Sequence, residues 1–247
     1  MSGNRGVYFY LILINVDRNM CYLLCIETST EVCSVALAKE NQLVAVKENH
    51  QGNTHAEQLM PFVDSIVNEA GINVKQLDAV AVSEGPGSYT GLRIGVSTAK
   101  GLCYVLNKPL IAVSTLQSMA WGARKNYSGD YFYCPMIDAR RMEVYCAVYD
   151  SQLQIVDAIQ NKIIYADAFG SILDKQKIVF SGNAVEKCKN ILALHHHSIF
   201  SETKTSAAYM LELAYQKYIH HNFENLAYFE PFYLKEFVAG KPHVKGL

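Results

Sequence analysis

Apolar residues in the first half of the chain switch between short continuous runs and helical spacing. Residues 22–26 and 32–38 are apolar runs separated by Glu27-Thr28-Ser29-Thr30-Glu31, a polar break of the length that joins a β-hairpin. Residues 42–47 extend the hairpin into a meander. The period changes from 54 to 70, where Leu59, Phe62, Val63, Ile66 and Val67 recur at helical spacing and Gly71 closes the pattern. A strand of buried type over 77–82 follows, then a loop through Thr90, a helix over about 91–106, a strand over 110–113 and a helix after Ser114.

The second half uses the same vocabulary less clearly. Strand-like runs at 131–137 and 143–149 are joined by Asp138-Ala139-Arg140-Arg141-Met142, and a short strand at 178–180 ends at Ser181-Gly182-Asn183. A helix over about 206–219 carries Leu211, Leu213 and Tyr215, and the final stretch with a readable pattern is Glu230-Pro231-Phe232-Tyr233-Leu234-Lys235. Strands alternating with helices imply a layered α/β fold. No linker or low-complexity segment divides the chain, so two subdomains, if present, are tightly joined.

Composition narrows the function classes. The chain has 247 residues, 50% hydrophobic and 11% aromatic, enough for one large core or two modest ones. Its 22 Lys and Arg against 23 Asp and Glu leave a net charge of -1. A protein that grips nucleic acid by itself shows a basic excess, so the balance argues against stand-alone nucleic-acid binding. The seven cysteines form no CxxC pair and most lie in apolar stretches, which predicts small hydrophobes in a reducing cytosol rather than a disulfide framework. Residues 7–14 are an apolar run behind Arg5, too short to span a bilayer and without a cleavage site after it. Met20 directly precedes the first strand, which makes it the expected natural start and residues 1–19 a dispensable extension; an extra strand or an anchor is the other reading.

Chemistry concentrates at Gly85-Pro86-Gly87-Ser88-Tyr89-Thr90-Gly91-Leu92-Arg93-Ile94-Gly95, a glycine-rich link from strand to helix. Free backbone and a helix N-terminus make an anion site feasible. The spacing matches neither the Walker A loop nor the dinucleotide fingerprint, and a turn that brings the helix onto its sheet explains the glycines equally. Thr28, Ser29, Gly85, Gly87 and Ser88 are the nucleotide or anion candidates. Gly91, Gly95, Ala99 and Cys103 form a stripe of small residues that lets a second backbone approach, either the chain's own sheet or another subunit. Gly95 and Gly101 each cost the helix about 1 kcal/mol relative to Ala, so both point to close contacts. Arg140 and Arg141 suit an anion, or a solvated turn. Neither the His195-His196-His197 run nor His50, His55, His220 and His221 has metal-ligand spacing, and no GxSxG or catalytic cysteine signature occurs.

Several stretches resemble one family. Cys25 to Leu37 looks like the opening hairpin of the TsaB (YeaZ) family, and His55-Ala56-Glu57-Gln58-Leu59-Met60-Pro61 resembles the start of its first helix. The Gly85 to Val96 loop matches its most recognisable motif, with Ala99-Lys100-Gly101-Leu102 and Val113-Ser114-Thr115-Leu116 in register behind it. Asp138 to Tyr145 and the closing Pro231-Phe232-Tyr233-Leu234-Lys235 are similar to its later motifs. The resemblance implies an actin-like (ribonuclease H-like) ATPase fold in two subdomains, 20–125 and a reduced 126–247. It implies a cytoplasmic, non-catalytic partner of the threonylcarbamoyl transferase TsaD, working with the ATPase TsaE on tRNA supplied with threonylcarbamoyl-adenylate by TsaC. A homodimer in isolation is also expected. TsaD carries a metal-binding histidine pair where this chain has Ser114-Thr115-Leu116-Gln117-Ser118-Met119-Ala120, so no catalytic residue and no metal are expected here. No cofactor of its own is expected, although a nucleotide is possible at the interface with TsaD. The expected partner face comprises His55, Leu59, Phe62, Val63, Ile66, Gly91, Leu92, Gly95, Val96, Ala99 and Cys103. An active small-molecule kinase or ATPase of the same fold and a homodimeric interaction protein are the rival readings.

Overall fold

The structure, a computed structural model, describes residues 21–52, 54–127 and 129–235; the expectation about residues 1–19 lies outside them. Continuous apolar runs become strands covered on both faces. β1 (Tyr22–Glu27) and β2 (Cys33–Lys39) form the hairpin, and β3 (Gln42–Asn49) continues the meander at the sheet edge. Helix α1 (His55–Glu69) leads to β4 (Ala79–Gly85), α2 (Tyr89–Leu106), β5 (Leu110–Ser114) and α3 (Thr115–Asn126). The second half adds β6 (Phe132–Asp138), β7 (Glu143–Tyr149), β8 (Ile155–Ile163), α4 (Gly170–Leu173), β9 (Ile178–Ser181), α5 (Val185–Leu192), β10 (Ser198–Phe200) and α6 (Leu211–Ile219).

The two sheets repeat one plan. The first runs β3-β2-β1-β4-β5 and the second β8-β7-β6-β9-β10. In each, a three-stranded antiparallel meander is extended by two strands parallel to its first strand. This duplicated arrangement is the actin-like fold.

The helices do not respect the expected division at 125. Leu116, Met119, Ala120 and Ala123 of α3 pack with Tyr133, Ile137, Ala147 and Tyr149 of the second sheet. Met210, Leu211 and Ala214, at and within the start of α6, pack on Leu23, Cys25, Ala81 and Ile111 of the first. Each half thus lends a helix to the other's sheet. The remaining face of the first sheet is covered by α1 and α2, through Leu59, Val63, Ile66, Val96 and Ala99.

Candidate functional site

The C-terminal ends of β1, β4 and β6 meet at a cleft of about 920 Å³ between the two sheets, lined by Ser29, Thr30 and Glu31, the loop after β4, the β6–β7 turn and the closing segment. At the first-sheet end the anion candidates hold one another. Ser29 N donates to Glu27 Oε1 at 2.7 Å, Thr28 N to Ser83 Oγ at 3.4 Å, and Ser88 N to Ser29 O at 2.6 Å. Ser88 Oγ caps α2 by accepting from Gly91 N at 3.2 Å, and Thr28 Oγ1 donates to Gly91 O at 2.8 Å. A Cβ at Gly91 would overlap Thr28 O, and one at Gly95 would overlap Thr28 Oγ1. The glycines therefore seat α2 directly on the hairpin. The close contact suggested by Gly95 is with the chain's own turn, whereas Gly101 faces open space.

Glu27 sits beneath this turn, 1% exposed, with Oε2 unpartnered. Burial pushes its carboxyl above the usual range, and hydrogen bonding from Ser29 and Ser83 opposes the rise. Thr28, Ser29 and Ser88 are joined by these bonds, Gly87 lies against Ser29, and Gly85 lies against Phe232 O of the closing segment. The amides of Thr28, Ser29 and Ser88 already have protein acceptors.

The expected partner residues are placed differently from their expected role. His55, Leu59, Val63, Ile66, Leu92, Val96, Ala99 and Cys103 are buried, as are Gly91 and Gly95, and Phe62 packs half-buried against the same core. They cover the first sheet because that sheet's apolar face has no other cover; His55 Nε2 is within 2.9 Å of Thr30 O. Helix α2 is apolar on more than one side, so periodicity did not separate its inward positions from its outward ones. The outward side bears Tyr104 and Val105, 81% and 80% exposed, and α1 bears Met60 at 47%.

The second sheet contributes the β6–β7 turn. Arg140 and Arg141 both have left-handed backbones, φ 70° and 47°, an arrangement that costs a non-glycine residue roughly 1–2 kcal/mol. The halves are tied across the cleft by Asn183 Nδ2 donating to Glu31 Oε2 at 2.7 Å and by the Thr30–Thr205 hydroxyl pair at 2.6 Å. The closing segment crosses it as well: Phe232 N donates to Glu84 O at 2.7 Å, and Lys235 reaches the Glu143 carboxylate. His195 Nε2 and His197 Nδ1 lie 2.9 and 2.6 Å from Ala166 O and Leu173 O, anchoring the histidine run to the backbone. Among the described residues no group of three His, Cys, Asp or Glu could hold a metal, no helix is long and apolar enough to cross a membrane, and the seven cysteines are free and buried.

The family described as "TsaD: tRNA N6-adenosine threonylcarbamoyltransferase" matches residues 47–243. The Haemophilus influenzae tRNA threonylcarbamoyladenosine biosynthesis protein TsaB is 30% identical over 238 residues, covering 89% of this chain and 95% of that one. The Escherichia coli protein of the same name is 42% identical over 128 residues, 51% of this chain and 54% of its own. The solved structure of YeaZ from Pseudomonas aeruginosa superposes with a TM-score of 0.74 at 28% identity, covering 87% of this chain and 100% of that one.

Proposed function

The chain belongs to the TsaB (YeaZ) family, and from that premise we propose that it is the non-catalytic subunit that binds and supports TsaD as N6-threonylcarbamoyladenosine is formed in tRNA. TsaE is the further partner, and the complex works in the cytoplasm. The observation that carries this reading is the closed network at the hairpin. An actin-like kinase needs free amides there to hold phosphate, and here Ser29 N, Thr28 N and Ser88 N are engaged by Glu27, Ser83 and Ser29 O. A buried carboxyl beneath them would oppose a phosphate wherever it ionised. The same network disfavours the rival kinase or ATPase.

The partner face of this proposal is the outward side of α1 and α2, marked by Met60, Tyr104 and Val105, rather than the residues beneath it. Apolar side chains this exposed are what interface centres contain. Calorimetric titration of TsaD with a Tyr104→Asp, Val105→Asp double variant tests it. Binding should weaken roughly a hundredfold, about 2.7 kcal/mol, with the thermal midpoint unchanged because neither side chain supports the core. Parent-like affinity would place the interface elsewhere. In isolation a second copy of the chain would use the same face, so the variant should also be monomeric by light scattering at concentrations where the parent dimerises.

A further inference from the structure

Hairpin turns that need successive left-handed residues ordinarily place Asn or Gly in them. The β6–β7 turn places two arginines there instead. Neighbours fix this backbone: Arg140 N donates to Asp138 Oδ1 at 2.8 Å, and Lys187 Nζ donates to Arg141 O at 2.8 Å and Glu143 O at 2.7 Å. A strained backbone held by its surroundings points to a use for what it displays. Both side chains are exposed, and among the described residues neither guanidinium is within ion-pair or hydrogen-bond distance of a partner, although the Arg141 charge acts on the nearby Glu143 carboxylate and that of Arg140 on Tyr145.

The two arginines line the cleft beside Tyr145 and Tyr233. Lys235 lies 6.0 Å from the Tyr145 ring centroid, its charge shared with Glu143. The Tyr233 ring is 4.8 Å from that of Tyr89, over which Arg93 sits at 5.4 Å. Cations and aromatic rings therefore follow one another from α2, across the closing segment, to the β6–β7 turn, and of the carboxylates beside them Asp138 is paired with Lys187 and Glu143 with Lys235. Guanidinium groups fork onto phosphate oxygens and aromatic faces stack on bases, which is how extended nucleic acid is held.

We propose that the Arg140–Arg141 turn and its neighbouring tyrosines form a contact strip for RNA, the arginines on backbone phosphates and the rings beside the bases. The inference rests on the proposed function, which supplies tRNA as the nucleic acid. A polymer of phosphates fits cations strung along a surface, whereas a free nucleotide would need the amides that the hairpin network has engaged. The net charge of -1 makes the strip a local guide for RNA held by the complex, not a stand-alone grip.

Fluorescence-anisotropy titration of a labelled tRNA transcript with the complex of full chain and TsaD, at several salt concentrations, tests the strip. The comparison is with an Arg140→Gly, Arg141→Gly double variant, since glycine takes positive φ without strain. Affinity should fall roughly tenfold or more, and the slope of log K against log salt should shrink in magnitude by about 1–2, as when one or two phosphate contacts are lost. The thermal midpoint should hold or rise. Unchanged affinity and slope would overturn the inference. ATP that displaces RNA from the parent complex but not from the variant complex would make the turn a nucleotide site, and would overturn it too. TsaD binding is measured on the same samples. A parent chain that fails to bind TsaD contradicts the proposed function, whereas a variant that pairs normally and keeps its RNA affinity contradicts this inference alone.

Discussion

Glu27 ends β1 with its carboxyl shielded from water and one oxygen unpartnered. Burial raises its pKa in the folded protein, so the folded state binds this proton more tightly than the unfolded chain does. Below the ordinary carboxylate pKa of about 4.3 the group is protonated in both states and imposes no penalty. As pH rises from there through the folded pKa, the contribution is lost and stability falls. Replacing it with the neutral isostere, Glu27→Gln, keeps an acceptor for Ser29 N and removes the buried charge. The variant should therefore melt above the parent at pH 7, and the gap should close as pH falls toward about 4. Thermal midpoints measured from pH 4 to 8 check this. A parent that gains on the variant as pH rises would show that the ionised carboxylate is stabilising after all. The acidic residue at the strand end was legible in the sequence, but its burial was not, because only the closing of Thr28, Ser29 and Ser83 around it removes the water.

At the scale of elements, Gly91 and Gly101, two of the three glycines of α2, have opposite roles. A methyl group at Gly91 would run into the backbone oxygen of Thr28, whereas one at Gly101 meets nothing within 4 Å. Overpacking against a fixed backbone costs about 1–3 kcal/mol, and each kcal/mol moves the midpoint of a chain this size by roughly 2–4 °C. Gly91→Ala should thus lower the midpoint by up to about 12 °C, and Gly101→Ala should raise it by about 2–4 °C through helix propensity alone. Differential scanning of both variants decides the matter; equal shifts would mean that the hairpin does not touch the helix. The first meander, α1 and α2 were readable because their apolar runs and periods are strong. β8 was not, since this edge strand, with Ile155 and Ile163 exposed, interleaves polar residues without a clean alternation. The short α4 and α5 gave too few turns for a period to show. Which side of α2 faces the sheet was also hidden, because Leu92 and Val96 inward and Tyr104 and Val105 outward are all apolar.

For the whole molecule, the two sheets repeat one plan, whereas the two subdomains were expected only from the family resemblance, and the exchange of α3 and α6 between sheets could not be read from chain order. That exchange, with the Glu31–Asn183 and Thr30–Thr205 bonds, joins the halves so that the hairpin network and the β6–β7 turn face one cleft. On the proposed function, this joined molecule supports a catalyst without being one. Reconstituted tRNA modification tests it most directly, with threonylcarbamoyl-adenylate, unmodified tRNA and TsaE supplied, and with the chain and TsaD added singly and together. Product should form only when both are present, and should fall sharply when the chain carries the Tyr104→Asp, Val105→Asp pair. Turnover by the repurified chain alone, or an equal yield from TsaD with and without it, would show that the chain is not a supporting subunit.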